Sequence, residues 1–286
     1  MQVRASDYVA AAKAVGCSTT RIVLSEVLPN IMNHIIVVAT LVFLIAPMIF
    51  IIALSFGDSR WMAFPPPAWT VKWYQQLFAN PAWLSAFLTS IEIGIYVVIC
   101  CMALAIPASF GLVRSKFLGK TATNTFLSSP LFVPVIILAV ALYILMLRIG
   151  FVGSKTAFVI AHSIIALPFA MLMITNSLHA FDESIEKAAM ICGASRIRAI
   201  VSVTLPSISS GILAGALFAF VISWDEVVLS MFMAGPGTQT LPVRMWSMVR
   251  ADISPEIAAV ASIMLASTTI IIALAYMVMQ SSTDKR

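Results

Sequence analysis

The chain has 286 residues, 61% of them hydrophobic and 10% charged, where an ordinary soluble domain carries about 25% charged residues. A soluble fold does not fit that balance. The net charge of +5, from 17 Lys plus Arg against 12 Asp plus Glu, matters through its placement, because basic residues orient membrane spans; no basic, aromatic-interleaved stripe lies outside the apolar runs, so nucleic acid is a poor partner.

Crossing a bilayer as a helix takes about 20 mostly apolar residues. Six uncharged runs meet that length: Val27 to Gly57, Ile93 to Val113, Thr121 to Leu147, Thr156 to Phe181, Ala199 to Trp224 and Ile257 to Thr283. The predicted fold is therefore an all-α membrane protein with six transmembrane helices. Loops 57–83 and 233–256, a connector and short ends remain, so no separate soluble catalytic domain fits and any chemistry belongs to a partner. With the N-terminus inside, Arg4, Lys13, Arg21, Arg114, Lys116, Lys120, Lys187, Arg196, Arg198, Lys285 and Arg286 are cytoplasmic, while Arg60, Lys72, Arg148, Lys155, Arg244 and Arg250 are outside. This asymmetry predicts both ends in the cytosol. The first 30 residues contain Asp7 and Glu26 and no continuous apolar core, which does not describe a cleavable signal peptide. Cys17, Cys100, Cys101 and Cys192 have neither metal-site nor disulfide-framework spacing.

Along the chain, Tyr8 to Pro29 reads as an alanine-rich cytoplasmic helical segment with Gly16 as a break, ahead of a first span from His34 to Phe56. The loop that follows carries Pro65, Pro66 and Pro67 and is expected to be extended. Trp61, Trp69, Trp73, Tyr74 and Trp83 surround it, as an interfacial belt or a docking rim. Span two contains Glu92 and is pinned by Arg114, Lys116 and Lys120. Gly119-Lys120-Thr121 imitates the end of a phosphate loop, but the first glycine of that motif would fall on Arg114, so the chain is not expected to bind ATP. Pro130 and Pro134 in span three and Pro168 in span four predict kinks. His162, inside span four, reads as a neutral histidine bonded to a neighbouring helix.

The connector between spans four and five, Asp182 to Arg198, is the most informative stretch. It reads as two short helices meeting at an elbow: Asp182 caps the first, Gly193 ends it in the left-handed region, and Ser195 caps the second. Ile185, Ala188, Ala189 and Cys192 follow i, i+3, i+4, i+7 spacing, a narrow apolar face floored by small side chains and suited to a groove on another protein.

Lys187-Ala188-Ala189, three residues, Gly193, nine residues, then Val203-Thr204-Leu205-Pro206 resembles the coupling loop of bacterial ATP-binding cassette import permeases, whose pattern is E-A-A, three residues, G, nine residues, I-x-L-P. Lysine stands in the usual glutamate position, with Glu186 one place earlier, and valine replaces isoleucine. Ser223-Trp224-Asp225-Glu226, Gly235 through Pro242, Arg250 through Pro255 and Ser55-Phe56-Gly57-Asp58 look like the polyamine (spermidine/putrescine) subgroup. The resemblance implies a type I importer permease in the bacterial inner membrane, with a domain over residues 34–280, a cytoplasmic coupling loop at 182–205 and a tail at 281–286. It implies ATPase coupling through Glu186, Lys187, Ala188, Ala189, Gly193, Val203, Leu205 and Pro206. Implied partners are a cytosolic ATPase dimer that binds the ATP and magnesium, a second homologous permease and an extracytoplasmic solute-binding protein. No cofactor is expected in this chain, and it is not expected to be an enzyme.

Ala11-Ala12, Gly16, Leu28 and Pro29 repeat the pattern at an offset of 177, since 193 − 16 and 206 − 29 are equal. This first copy, within a segment of residues 1–33, resembles the coupling segment of a dipeptide-type permease joined near residues 35 to 45 to a polyamine-type body. It reads as a fusion or start-site remnant in preference to an amphipathic tail or a working second contact.

Asp225, Glu226 and Glu92 fall near the ends of spans. An ionised side chain at a helix centre costs about 2.5–3.5 kcal/mol on insertion scales, which points these groups at a protein interior or a wet cavity. With the ring of Trp224 beside them, they form a candidate pathway for a polycation, through charge pairing and cation–π contact. The rival is a proton-coupled carrier using the same three carboxylates, although paired interrupted helices in matching halves are not found.

Overall fold

A computed structural model describes residues 14–18, 20, 28–251 and 254–283. The helices in chain order are α1 (Leu28–Ser55), α2 (Lys72–Ala79), α3 (Pro81–Arg114), α4 (Lys120–Ser128), α5 (Val135–Arg148), α6 (Lys155–Ala180), α7 (Glu183–Ile191), α8 (Arg196–Ser207), α9 (Ser209–Asp225), α10 (Val228–Met233), α11 (Leu241–Ala251) and α12 (Pro255–Thr283). No strand forms among the described residues. Most of the predicted segment 8–29, and with it most of the first coupling-like copy, lies outside them.

Four of the six predicted spans are continuous helices long and apolar enough to cross a membrane, within α1, α3, α6 and α12. The other two are bent pairs. The third breaks between Leu131 and Val135 with a 99° bend, because Pro134 sits in extended backbone (φ −54°, ψ 126°) and the residue before a proline is pushed out of the helical region. The 14 residues of α5 reach about 21 Å, short of the roughly 30 Å hydrocarbon core. The fifth bends by 70° between α8 and α9. Pro168, by contrast, is accommodated inside a continuous α6, so of the two spans expected to kink at these prolines only the third is broken.

The core is built from α3, α6 and α9, which pack on one another. Buried positions recur at four-residue spacing: Ile93, Val97, Cys101 and Ala105 on α3, Ala166, Ala170, Ile174 and Leu178 on α6, and Gly211, Gly215, Ala219 and Ser223 on α9. Lipid gives no hydrophobic drive between helices, so small residues that let backbones approach supply the packing. A Cβ at Gly215 would stand 3.0 Å from the Ala170 carbonyl oxygen. The Gly211-x-x-x-Gly215-x-x-x-Ala219 series therefore sets the α6–α9 contact. Around this core α1 packs along α12 and leaves most of its Ile, Val and Leu side chains exposed.

The loop after α1 closes on itself through Asp58 N–H to the Ala68 carbonyl and Thr70 N–H to the Phe56 carbonyl. Its tryptophans divide. Trp61 and Trp69 are exposed, whereas Trp73 and Trp83 are buried and donate to the Gly57 carbonyl and to Glu256 Oε1, at 2.8 and 2.9 Å. A rim made from all of them is thus corrected to two exposed rings over two structural ones.

Candidate functional site

The connector folds into the predicted elbow. The Asp182 side chain accepts from the Ser184 amide at 2.8 Å, and that bond, followed by the Ser184 hydroxyl, holds its carboxyl below the usual carboxylate range. Gly193 adopts φ +95°, a region costly for residues with a Cβ, and the Ala194 amide returns to the Ala189 carbonyl at 3.1 Å, closing the helix end as a Schellman turn does. Ser195 then accepts from the Arg198 amide.

Along α7 the usual sorting of side chains is inverted. Its one buried residue is Glu186, 5% exposed, while Ile185 (50%), Ile191 (87%), Ala188 and Cys192 are exposed. The Glu186 carboxylate accepts from both the Arg114 guanidinium at the end of α3 and the Thr204 hydroxyl of α8. Burial alone would raise its pKa, but the Thr204 and Arg114 bonds outweigh burial and hold it below the ordinary range. Arg114 also lies 3.6 Å from Glu183 and over the rings of Phe110 and Phe181. Glu186, expected to meet the ATPase, is instead an internal bolt between α3, α7 and α8. Lys187, in the motif's glutamate position, points outward and lies 4.0 Å from Glu183.

Downstream, residues Ile200–Thr204 form a π-helical turn in which the Leu205 amide reaches back to Ile200. Pro206 explains it: the ring removes one donor and would clash with the carbonyl four residues earlier, and an extra residue in the turn relieves that clash. Val203 and Leu205 are half-buried and Pro206 is exposed. Ala189 and Gly193 complete the elbow surface.

At the other end of α9, the candidate pathway residues separate. Trp224 is 1% exposed, stacked on Phe220 and edge-on to Phe87 at ring separations of 5.9 and 5.6 Å, so its face is not free for a cation. Glu226 accepts from the Leu229 amide at 2.8 Å and starts α10. Glu92 pairs with Lys155 of α6. Asp225 remains open, on a cavity between α1, α11 and α12. Trp224 and Glu92 are thus structural, and the four residues do not converge on one site. Their sequence separation could not reveal this, since the partners Lys155, Phe87 and Phe220 come from elsewhere in the chain.

His162 is fully buried and bonded through both ring nitrogens, to Ser223 of α9 and Ser230 of α10, each at 2.9 Å. It ties both sides of the Asp225-Glu226 corner to α6, as a histidine bonded to neighbouring helices should. Among the described residues no cluster of His, Cys, Asp or Glu could hold a metal ion.

A bent elbow on a bundle of broken and continuous spans can carry movement between the bilayer and a partner, and comparison with known proteins identifies which bundle it is. The family described as binding-protein-dependent transport system inner membrane component matches residues 1–114 and again residues 102–286. The chain belongs to this family. It is a permease of the ATP-binding cassette import type in the bacterial inner membrane, and the family leaves the proton-coupled carrier without support. Each match contains one copy of the Gly…Leu-Pro pattern. The putrescine transport system permease protein PotI of Escherichia coli (strain K12) is 31% identical over 251 residues, 85% of this chain and 89% of that one. The spermidine/putrescine transport system permease protein PotC of the same strain is 28% identical over 245 residues, 84% and 91% respectively. In fold, the chain is similar to a bacterial ABC transporter involved in the import of the acidic polysaccharide alginate, with a TM-score of 0.67 at 14% identity, covering 93% of this chain and 98% of that one.

Proposed function

We propose that this permease imports a polyamine, spermidine or putrescine, using ATP hydrolysed on a separate cytosolic ATPase dimer that docks on α7. The observation that carries the coupling role is the inverted helix: α7 buries its glutamate and exposes Ile185, Ala188, Ile191 and Cys192, an arrangement that makes sense when a second protein covers the apolar side. The bolt from Glu186 to Arg114 and Thr204 fastens α7 to α3 and α8. Movement of a docked ATPase is thereby delivered to the second and fifth spans. The chain itself binds neither ATP nor magnesium and catalyses no reaction.

The basic residues support cytosolic N- and C-termini with the elbow on the same side. A second homologous permease completes the pathway, and an extracytoplasmic binding protein delivers solute to loops 57–83 and 233–256. Solute identity is supported by the two relatives whose names specify putrescine and spermidine, and by the open carboxylate of Asp225.

Replacing Gly193 tests the coupling. No atom lies within 4 Å of where its Cβ would be, so the effect is of backbone alone, a strain of about 1–3 kcal/mol. Gly193→Val should leave ATP hydrolysis running while uptake falls, and Gly193→Asn, which tolerates positive φ, should retain uptake. Full uptake in Gly193→Val would count against the elbow.

A further inference from the structure

We infer that the apolar slot between α2, α3, α11 and α12, at the end of the fold away from the elbow, holds one acyl chain of a membrane phospholipid whose phosphate pairs with Arg244. The site is separate from the solute pathway and is independent of which solute is carried.

The slot encloses about 230 Å³, below the roughly 300–1,000 Å³ of sites that enclose a whole small molecule, so it takes a stretch of chain and not a complete solute. Leu77, Trp83, Leu241 and Val260 form its buried floor, and the exposed Phe78 and Leu84 form its lip. Every lining side chain is aliphatic or aromatic. The one polar atom among them, the Trp83 indole nitrogen, already donates to Glu256 Oε1 at 2.9 Å. Water finds no partner in such a space, whereas a hydrocarbon fits it. No carboxylate lines the slot, so a polyamine would lie there without a counter-charge.

Arg244 defines the other half of the ligand. The Ser90 hydroxyl accepts from the Leu241 amide at 2.8 Å and so fixes the start of α11 against α3. One turn further on, the Arg244 guanidinium carbon lies 4.9 Å from the centre of the Trp83 ring. Its Nε is buried without a hydrogen bond, and Arg244 has no ion pair among the described residues, whereas Lys72 and Lys155 at the same end of the fold are held by Asp58 and Glu92. A guanidinium matches a phosphate through parallel N–H bonds. Trp246, exposed on α11 with Arg250 5.6 Å from its ring centre, marks this helix as one at headgroup depth, where amphipathic rings and cations collect. A phosphodiester headgroup at Arg244 with its acyl chain between Phe78 and Leu84 answers both vacant partners with one molecule. Free phosphate would leave the slot uncovered, and an uncharged lipid would leave the guanidinium unpaired.

The test uses the assembled transporter, ATPase included, stripped of lipid in dodecyl maltoside. It is titrated with phosphatidylglycerol carrying a diazirine in one acyl chain, and photoadducts are mapped by mass spectrometry. Adducts at Phe78 and Leu84 should saturate, while those at Phe43 on the exposed side of α1 should rise in proportion to added lipid. Arg244→Gln should raise the half-saturating lipid concentration by about tenfold, the size of one hydrogen bond to a charged group. Leu84→Trp, which blocks the slot from its lip, should remove the saturable adducts at Phe78. Adducts at the lip that never saturate would overturn the site, as would equal half-saturation by a diacylglycerol with the same diazirine. That second comparison needs no substitution, so it decides the part of the phosphate even where Arg244→Gln does not assemble. Saturable adducts in the permease purified alone that vanish in the assembled transporter would assign the slot to a neighbouring protein and overturn the lipid site equally.

Discussion

The two ends of the fifth bent span sort their side chains in opposite ways. At the elbow, a carboxylate is buried and paired while apolar groups stand in the open: Glu186 is bolted to Arg114 and Thr204, and Ile191 faces outward. At the outer corner, the aromatic group is buried and the charge is left over: Trp224 is enclosed by Phe87 and Phe220, and Asp225 has no partner among the described residues. What each end leaves unpaired describes what it meets, an apolar protein groove at one and a cation at the other.

The comparison breaks most visibly at the bolt. Glu186→Leu leaves the buried guanidinium of Arg114 with only the half-exposed Glu183 beside it, a loss approaching the roughly 3–5 kcal/mol of one partner of a buried pair. Thermal unfolding of the purified permease should show it, together with weakened ATPase capture. Arg114→Met combined with Glu186→Leu should recover much of that stability, because no charge is then orphaned. A double variant no better than the single one would show that the pair is not the fastening. The same bolt predicts a pH profile. A carboxyl held below its unfolded pKa contributes fully above that unfolded value, and the contribution disappears as pH falls through the depressed folded one. ATPase capture should therefore be flat from neutrality down to the ordinary carboxylate range and decline only below it, and Glu186→Gln should abolish that acid limb.

At the outer corner the equivalent fastening is His162. His162→Leu leaves the hydroxyls of Ser223 and Ser230 without their buried partner, at about 1–3 kcal/mol for each unsatisfied group. Solute uptake should fall while ATPase capture at the elbow is retained, which would sharpen the division between the two ends. Loss of capture in this variant would argue that the ends are not independent. Between them runs the α6–α9 contact. Gly215→Ala pushes a methyl group against the Ala170 backbone and should cost about 1–3 kcal/mol as overpacking, read as a lower melting temperature with both ends affected alike. The smallest effect is expected from removing residues 2–30: transport and assembly should be unchanged if the first Gly…Leu-Pro copy is a remnant, and reduced transport would make it a second working contact.

Much of the elbow was legible because its signals are local. Asp182, Gly193 and Ser195 act on backbone within a few residues of themselves, so capping chemistry read along the chain is capping chemistry found in three dimensions. The six spans were legible as apolar runs, but two are bent pairs, and sequence distinguishes poorly between a proline that breaks a helix, Pro134, and one that is absorbed, Pro168. The outer site was legible only as residue types. Whether Glu92, Glu226 or Asp225 stays free depends on Lys155, on the Leu229 amide and on which helices surround each, information carried by tertiary contact. Glu186 misled for the same reason: its partner Arg114 lies 72 positions away and reads in sequence as an orienting charge. The Gly211, Gly215, Ala219 series was a missed local signal, since small residues at four-residue spacing in an apolar helix mark a close helix contact.

Coupling requires α7 to present its apolar face to a cytosolic ATPase, and Cys192, exposed on that face, offers a native thiol with which to ask. Membrane-impermeant maleimide labelling of Cys192 should proceed from the cytosolic side in the free permease and be suppressed when the ATPase is bound. Equal labelling with and without the ATPase, or labelling from the outer side, would contradict it.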